Sequence, residues 1–144
     1  MQKLITTLIS NCPEDTIQFA KDLSTTIPYG SVIFMVGDLG SGKTTFTKGF
    51  AAGLGFSNNV QSPTYPILNE YSDSNKSIYH FDLYRLKSVS EFLEIGGIEY
   101  LSDNNGICII EWPELIESFD IDQKIKIFFR VNNDKNSRTI EVYR

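Results

Sequence analysis

The sequence predicts a single α/β domain spanning residues 1–144, with a mixed, mostly parallel central sheet flanked by helices and an antiparallel hairpin at its C-terminal end. Three observations predict it. Val32 to Val36 is an unbroken apolar run followed at once by a glycine-rich turn and a helical pattern, the order of a strand buried on both faces feeding a helix. Two further apolar runs, Ile78–Phe81 and Ile107–Ile110, each end in an acid, Asp82 and Glu111. Lys124 to Val131 alternates apolar and polar residues, then a polar turn leads to a second short run, which is the pattern of a hairpin.

From the N-terminus, Leu4–Ile9 reads as a short strand. Asn11–Asp15 carries helix-start residues, with Pro13 near the first turn and Glu14 and Asp15 beside it. Ile17, Ala20, Leu23 and Ile27 mark the buried face of that helix, and Pro28, Tyr29 and Gly30 are expected to end it. The next strand runs into Gly37, Gly42, Lys43 and Thr44, which fit G-x-x-x-x-G-K-[ST]. Glycines let several backbone amides converge on one phosphate while the following helix points its positive end at the same charge. Lys43 is then expected to reach the β- and γ-phosphates and Thr44 to offer its hydroxyl to Mg²⁺. Phe46, Phe50, Ala51 and Leu54 recur at helical spacing, with Gly53 and Gly55 where the helix should stop. Strand, loop and helix in this order predict a P-loop nucleoside triphosphate hydrolase fold.

Phe56–Tyr71 reads as a polar loop feeding a strand through Tyr65, Ile67 and Asn69. Thr64 lies in that loop after Ser62 and Pro63, where a hydroxyl can serve a bound γ-phosphate or its metal as switch segments do; the alternative is a plain turn threonine. Ser72–Lys76 is a hydrophilic turn. Asp82, at the end of its strand, has the form of a Walker B carboxylate that binds Mg²⁺ directly or through water. Glu111 has the same form, and in an open α/β sheet ligands sit beyond the carboxyl ends of the strands. One acid can hold the metal while the other orients or deprotonates water; the spacing does not divide the roles, and either acid can instead cap a helix or pair with Arg85. Ser88 and Glu91 have capping-box spacing ahead of a short helix, which Gly96 and Gly97 break before Ile98–Leu101 resumes it. His80, the single histidine, reads as a structural, hydrogen-bonded residue. In the final hairpin Ile125, Ile127, Phe129 and Val131 share one face, Asn132–Ser137 turns, and Thr139–Tyr143 returns, placing the antiparallel part at one side of the sheet.

The net charge of −5 argues against a broad phosphate-backbone grip by this chain itself, so a nucleic-acid role would run through a partner. Cys12 and Cys108 belong to no Cys-x-x-Cys or Cys/His cluster, and read as reduced thiols. Lys3 to Ile9 is too interrupted by Thr6 and Thr7 for an export signal, and no run approaches the roughly 20 apolar residues of a membrane span; a cytoplasmic location is the expectation. No N-K-x-D reads guanine, and the four arginines are few for a kinase lid. ATP hydrolysis or ATP-dependent switching is the favoured reading, with a nucleotide-gated binding module and a small-molecule kinase as alternatives.

GDLGSGKTTFTKGF (Gly37–Phe50), SPTYPILNEY (Ser62–Tyr71), YHFDLYRL (Tyr79–Leu86) and CIIEWPE (Cys108–Glu114) together resemble the TsaE family, small bacterial ATPases of threonylcarbamoyladenosine synthesis. The resemblance implies an ATPase that acts with the TsaB and TsaD proteins, is weak alone, and meets tRNA only through that pair. It further implies that Gly37, Asp38, Leu39, Gly40, Ser41, Gly42, Lys43, Thr44 and Thr45 bind the phosphates of ATP or ADP and that Thr44 binds Mg²⁺. Thr64 would be switch-like, and Asp82 and Glu111 metal-linked or catalytic. Trp112 would lie near the nucleotide, and Asn11 and Ser137 or Arg138 near the adenine.

Overall fold

The computed structural model describes residues 2–56 and 67–144. In chain order the elements are β1 (Leu4–Ser10), α1 (Pro13–Ser24), β2 (Val32–Val36), α2 (Lys43–Gly53), β3 (Leu68–Asp73), β4 (Lys76–Asp82), α3 (Val89–Glu94), α4 (Gly97–Leu101), β5 (Gly106–Glu111), a 3₁₀ turn (Pro113–Ile116), β6 (Lys124–Val131) and β7 (Arg138–Tyr143). Thr64 and its neighbours Ser62, Pro63 and Tyr65 lie outside the described residues.

Among the described residues the strands form one seven-stranded sheet in the order β1-β7-β6-β2-β5-β4-β3. The central strands β6, β2, β5 and β4 are parallel, as expected of a phosphate-loop strand buried between neighbours. Antiparallel pairing occurs at both edges, β3 with β4 and β1-β7-β6, rather than at one side. The cause at the β3 edge is the connection. Strand pairing extends into the stretch read as a turn, leaving only Ser74 and Asn75 between β3 and β4, and two residues can close a hairpin but not a parallel crossover.

β2 and β5 are buried on both faces because helices cover both. Ile33 and Met35 of β2 and Ile107 and Ile109 of β5 join Phe46, Phe50 and Ala20 in one core. Val32, Phe34, Cys108 and Ile110 point the other way, into a second core with Phe81, Phe92 and Ile116. Successive side chains of a strand alternate faces, so a continuous apolar run is what a two-sided burial requires.

Helix α1 ends at Ser24, earlier than Pro28 and Gly30 suggest. The hydroxyls of Ser24, Thr25 and Thr26 donate to the carbonyls of Lys21, Asp22 and Leu23, satisfying the acceptors that a helix end leaves open. Ile27 is nonetheless buried in the first core. At the far end of β6, Val131 is 37% exposed rather than buried with Ile125, Ile127 and Phe129, because it lies at the open tip of the hairpin opposite Arg138. The N-cap half of the capping box forms, with Ser88 Oγ accepting from the Glu91 amide at 3.3 Å, while the Glu91 carboxylate accepts from the Lys87 amide.

α1 and α2 cross closely because Gly49 presents no side chain. A Cβ there would fall 2.5 Å from the Ile17 carbonyl oxygen and 2.8 Å from its Cα, and backbone cannot move aside as a side-chain tip can. Both helices start at the same end of the sheet because β1 and β2, which lead into them, run in the same direction. Gly49→Ala is expected to destabilise the fold by about 1–3 kcal/mol, read as a lower urea midpoint with an unchanged slope; an unchanged midpoint would show that the helices are free to separate.

Candidate functional site

The loop between β2 and α2 turns on glycine at three points. A Cβ on Gly37 would lie 2.7 Å from Ser41 Oγ and 2.8 Å from both Cβ and the carbonyl oxygen of Phe129. Gly40 and Gly42 have φ of +80° and +109°, left-handed values with open space around them. The Ser41 amide closes the turn onto the Asp38 carbonyl at 3.1 Å. No side chain caps the N-terminus of α2, whose N-cap is Gly42, so the loop and the first turn of the helix form a cradle of amides with the positive end of the helix dipole behind it. Leu39, at the loop tip, is 96% exposed. Ser41 is buried, and its Oγ has no partner among the described residues.

The parallel register delivers the two acids beside this loop. Asp82 of β4 lies opposite Glu111 of β5, and Glu111 lies opposite Met35 of β2. Glu111 is 5% exposed. Its Oε1 is 3.7 Å from Lys43 Nζ and its Oε2 is 2.6 Å from His80 Nε2. Lys43, itself buried, also donates to the Gly37 carbonyl at 2.6 Å and sits 4.8 Å from the centre of the Trp112 ring. The loop lysine is thus folded back onto its own loop and onto the acid and ring that follow β5. Asp82 is only partly buried, and its Oδ1 accepts from the Tyr84 amide at 2.9 Å. Burial raises its pKa above the usual carboxylate range against the Tyr84 hydrogen bond, and the neighbouring Glu111 charge adds to the rise.

Trp112 adopts φ +55°, a left-handed conformation uncommon for a bulky residue. Pro113 follows it and opens the 3₁₀ turn. The conformation turns the indole back over Lys43 and against Tyr84, whose ring centre is 5.0 Å away. A cavity of about 420 Å³ lies here, lined by Leu39, Asp82, Tyr84, Arg85 and Trp112. On the other flank of the loop a second cavity, about 230 Å³, is lined by residues that include Asn11, Cys12, Thr16, Gly40, Gly42, Thr45, Asn136 and Arg138. The glycine loop runs between the two.

Asp82 and Trp112 therefore line the first cavity, with Lys43 against the Trp112 ring and Glu111 paired to Lys43, while Asn11, Thr45 and Arg138 line the second. Thr44 is half-buried in the first turn of α2, next to Lys43. Asp38 is exposed at the start of the loop. Ser137 is not among the lining residues of the second cavity. Its hydroxyl is held by both oxygens of Asp134 at 3.1 Å and by Asn132, while its neighbours Asn136 and Arg138 form the wall. Tyr84 and Thr16 are additions that spacing did not single out. Tyr84 had one available signal, its place two residues beyond a strand-ending acid; Thr16 had none, since it looks like any helix residue until α1 is docked. Among the described residues no group of three or more His, Cys, Asp or Glu converges as a ready-made metal cage, and no helix is long and apolar enough to cross a membrane.

The family model for "Threonylcarbamoyl adenosine biosynthesis protein TsaE" matches residues 10–140. The chain belongs to the TsaE family. It is similar to the curated TsaE proteins of Bacillus subtilis (41% identical over 122 residues, 85% of this chain and 75% of that one) and Treponema pallidum (36% over 128 residues, 89% and 93%). Both carry the name tRNA threonylcarbamoyladenosine biosynthesis protein TsaE. The crystal structure of Bacillus subtilis YdiB superposes with a TM-score of 0.79 at 34% identity, covering 99% of this chain and 86% of that one. TsaE membership thus spans all four sequence blocks, from the glycine loop to the Glu111-Trp112 pair.

The two thiols of this TsaE chain differ in access. Burial pushes the Cys108 thiol up to about 12, with the Asp103 charge adding, so it stays protonated and shielded. Cys12 is exposed on the cavity wall. Iodoacetamide is expected to label Cys12 and spare Cys108 in the folded chain; equal labelling of both thiols would show that the core around Cys108 is open to solvent.

Proposed function

We propose that the chain binds ATP with Mg²⁺ and hydrolyses it as a component of tRNA threonylcarbamoyladenosine biosynthesis, acting with the TsaB and TsaD proteins. Family membership supports the pathway. The observation that carries the chemistry is the meeting of Lys43, Glu111, Asp82 and Trp112 at the mouth of an uncapped glycine loop.

The residues present fit a Mg-nucleotide. Gly37 leaves room no Cβ could share, Gly40 and Gly42 turn amides toward one point, and the donors available for the metal are hard oxygens: the Thr44 hydroxyl and the carboxylates of Asp82 and Glu111. Mg²⁺ is commonly held by one or two carboxylates plus phosphates and water rather than by a full protein cage, in keeping with the sparse donor set. When bound, it neutralises charge that develops on the phosphates.

The protein's own part follows from its charges. The loop amides and Lys43 receive the phosphates, and Lys43 exchanges the Gly37 carbonyl for a phosphate oxygen, a stronger, charge-assisted bond. Asp82 and Glu111 share the work of holding the metal and orienting the attacking water. Trp112 and Tyr84 wall the mouth and limit water. The base occupies the cavity between Asn11 and Arg138, on the other flank of the loop. With a net charge of −5, the chain meets tRNA through TsaB and TsaD rather than by gripping it. Leu39, exposed at the loop tip, fits a site completed by a partner, with slow turnover alone.

Phosphate release from ATP and Mg²⁺ is expected to rise when purified TsaB and TsaD are added. Lys43→Ala should lower it by roughly 10²-fold or more, the scale of losing one preorganised charge donor, and Glu111→Ala should do likewise while some nucleotide binding remains. No stimulation by a demonstrably active pair would overturn the partnership. Phosphate appearing on an acceptor instead of free in solution would make the chain a kinase.

A further inference from the structure

His80 is completely buried in β4, on the same sheet face as Asp82 and Glu111. Its backbone neighbours on that face, Ile78 and Ile109, belong to the apolar core. An imidazole in such surroundings is costly unless it is hydrogen-bonded, and a phenylalanine or leucine would fill the space without that cost. Nε2 lies 2.6 Å from Glu111 Oε2, while Nδ1 has no partner among the described residues. The ring's polar chemistry is therefore directed at one carboxylate oxygen.

That bond separates the two oxygens of Glu111. Oε2 faces His80 and Oε1 faces Lys43. Once Lys43 moves to a phosphate, Glu111 keeps a ring partner that has no reason to follow the nucleotide. Without it, a glutamate with three rotatable bonds is free to track the lysine or turn away from the mouth. We propose that His80 is a positioning residue which, by donating from Nε2 to Oε2, holds Glu111 with Oε1 presented to the nucleotide mouth throughout the cycle. The proposal rests on the hydrolytic reading above, and extends it to a residue outside the loop and the acid pair. Replacing a group that orients a ligating or catalytic carboxylate from behind typically costs roughly 10- to 100-fold in activity or metal affinity.

The chain has one histidine and one tryptophan, which allows two clean readouts. ¹⁵N-histidine NMR of the nucleotide-free protein is expected to show Nε2 protonated, with its proton far downfield and moving upfield in Glu111→Gln. His80→Leu, checked for folding by circular dichroism, should lower TsaB- and TsaD-stimulated turnover roughly 10- to 100-fold. ATP affinity, followed by Trp112 fluorescence, should stay within about threefold. His80→Gln, whose amide nitrogen reaches the same position, should recover most of the turnover. The proposal is overturned by an Nε2 without a proton, by an imidazole signal indifferent to Glu111→Gln, by folded His80→Leu that turns over like the wild type, or by His80→Gln no better than His80→Leu. A wild-type chain that releases no phosphate with active TsaB and TsaD overturns the hydrolytic reading instead, and the imidazole spectrum still decides whether His80 holds Glu111.

Discussion

The parallel register of β2, β5 and β4 is the constraint on which the site depends. Met35, Glu111 and Asp82 are at one level across three adjacent strands, so the glycine loop that leaves β2 and the acids that end β5 and β4 emerge at the same edge. A slip of one residue in β5 would turn Glu111 to the opposite face, away from α2 and Lys43. Ile107 and Ile109 face one core and Cys108 and Ile110 the other, so the same slip would exchange every side chain of β5 between the two cores.

Electrostatics then follow from geometry. Lys43 and Glu111 are both nearly inaccessible to water, and burying charge is tolerable only when each finds compensation. Glu111 finds it in Lys43 and His80; Lys43 finds it in Glu111, the Gly37 carbonyl and the face of Trp112. In this arrangement the loop lysine is held by groups that a phosphate can replace, whereas the bond between Glu111 and His80 is one that a phosphate does not compete for. Asp82 differs from Glu111 in kind. It sits at the wall of an open cavity, with a carboxyl pKa raised by burial and by its acidic neighbour.

Close backbone approach supports the same edge from below. Gly49 lets α2 lie against α1, which carries Cys12, Pro13 and Thr16 to the cavity that also takes Gly40, Gly42 and Thr45. Gly37 allows the loop to rest on Phe129 of β6, so the hairpin at the end of the chain buttresses the loop near its start. The cavity walls at Asn136 and Arg138 come from that same hairpin. Three distant stretches of sequence are thereby joined around one turn.

Much of this was legible in the residues alone because the signals are local. Continuous apolar runs mean strands buried on both faces, the spacing of Gly37, Gly42, Lys43 and Thr44 means a strand-loop-helix, and acids at strand ends point to one edge of a sheet. What only the tertiary structure decided was pairing between remote groups. That Glu111 is shared by Lys43 and His80, that Trp112 turns back over the lysine through a left-handed backbone, that Arg138 rather than Ser137 walls the second cavity, and that β3 adds a second antiparallel edge each depend on which strands neighbour and in what register. Hydrogen bonds and ion pairs form between side chains brought within a few ångströms by packing, and no spacing along the chain records that distance.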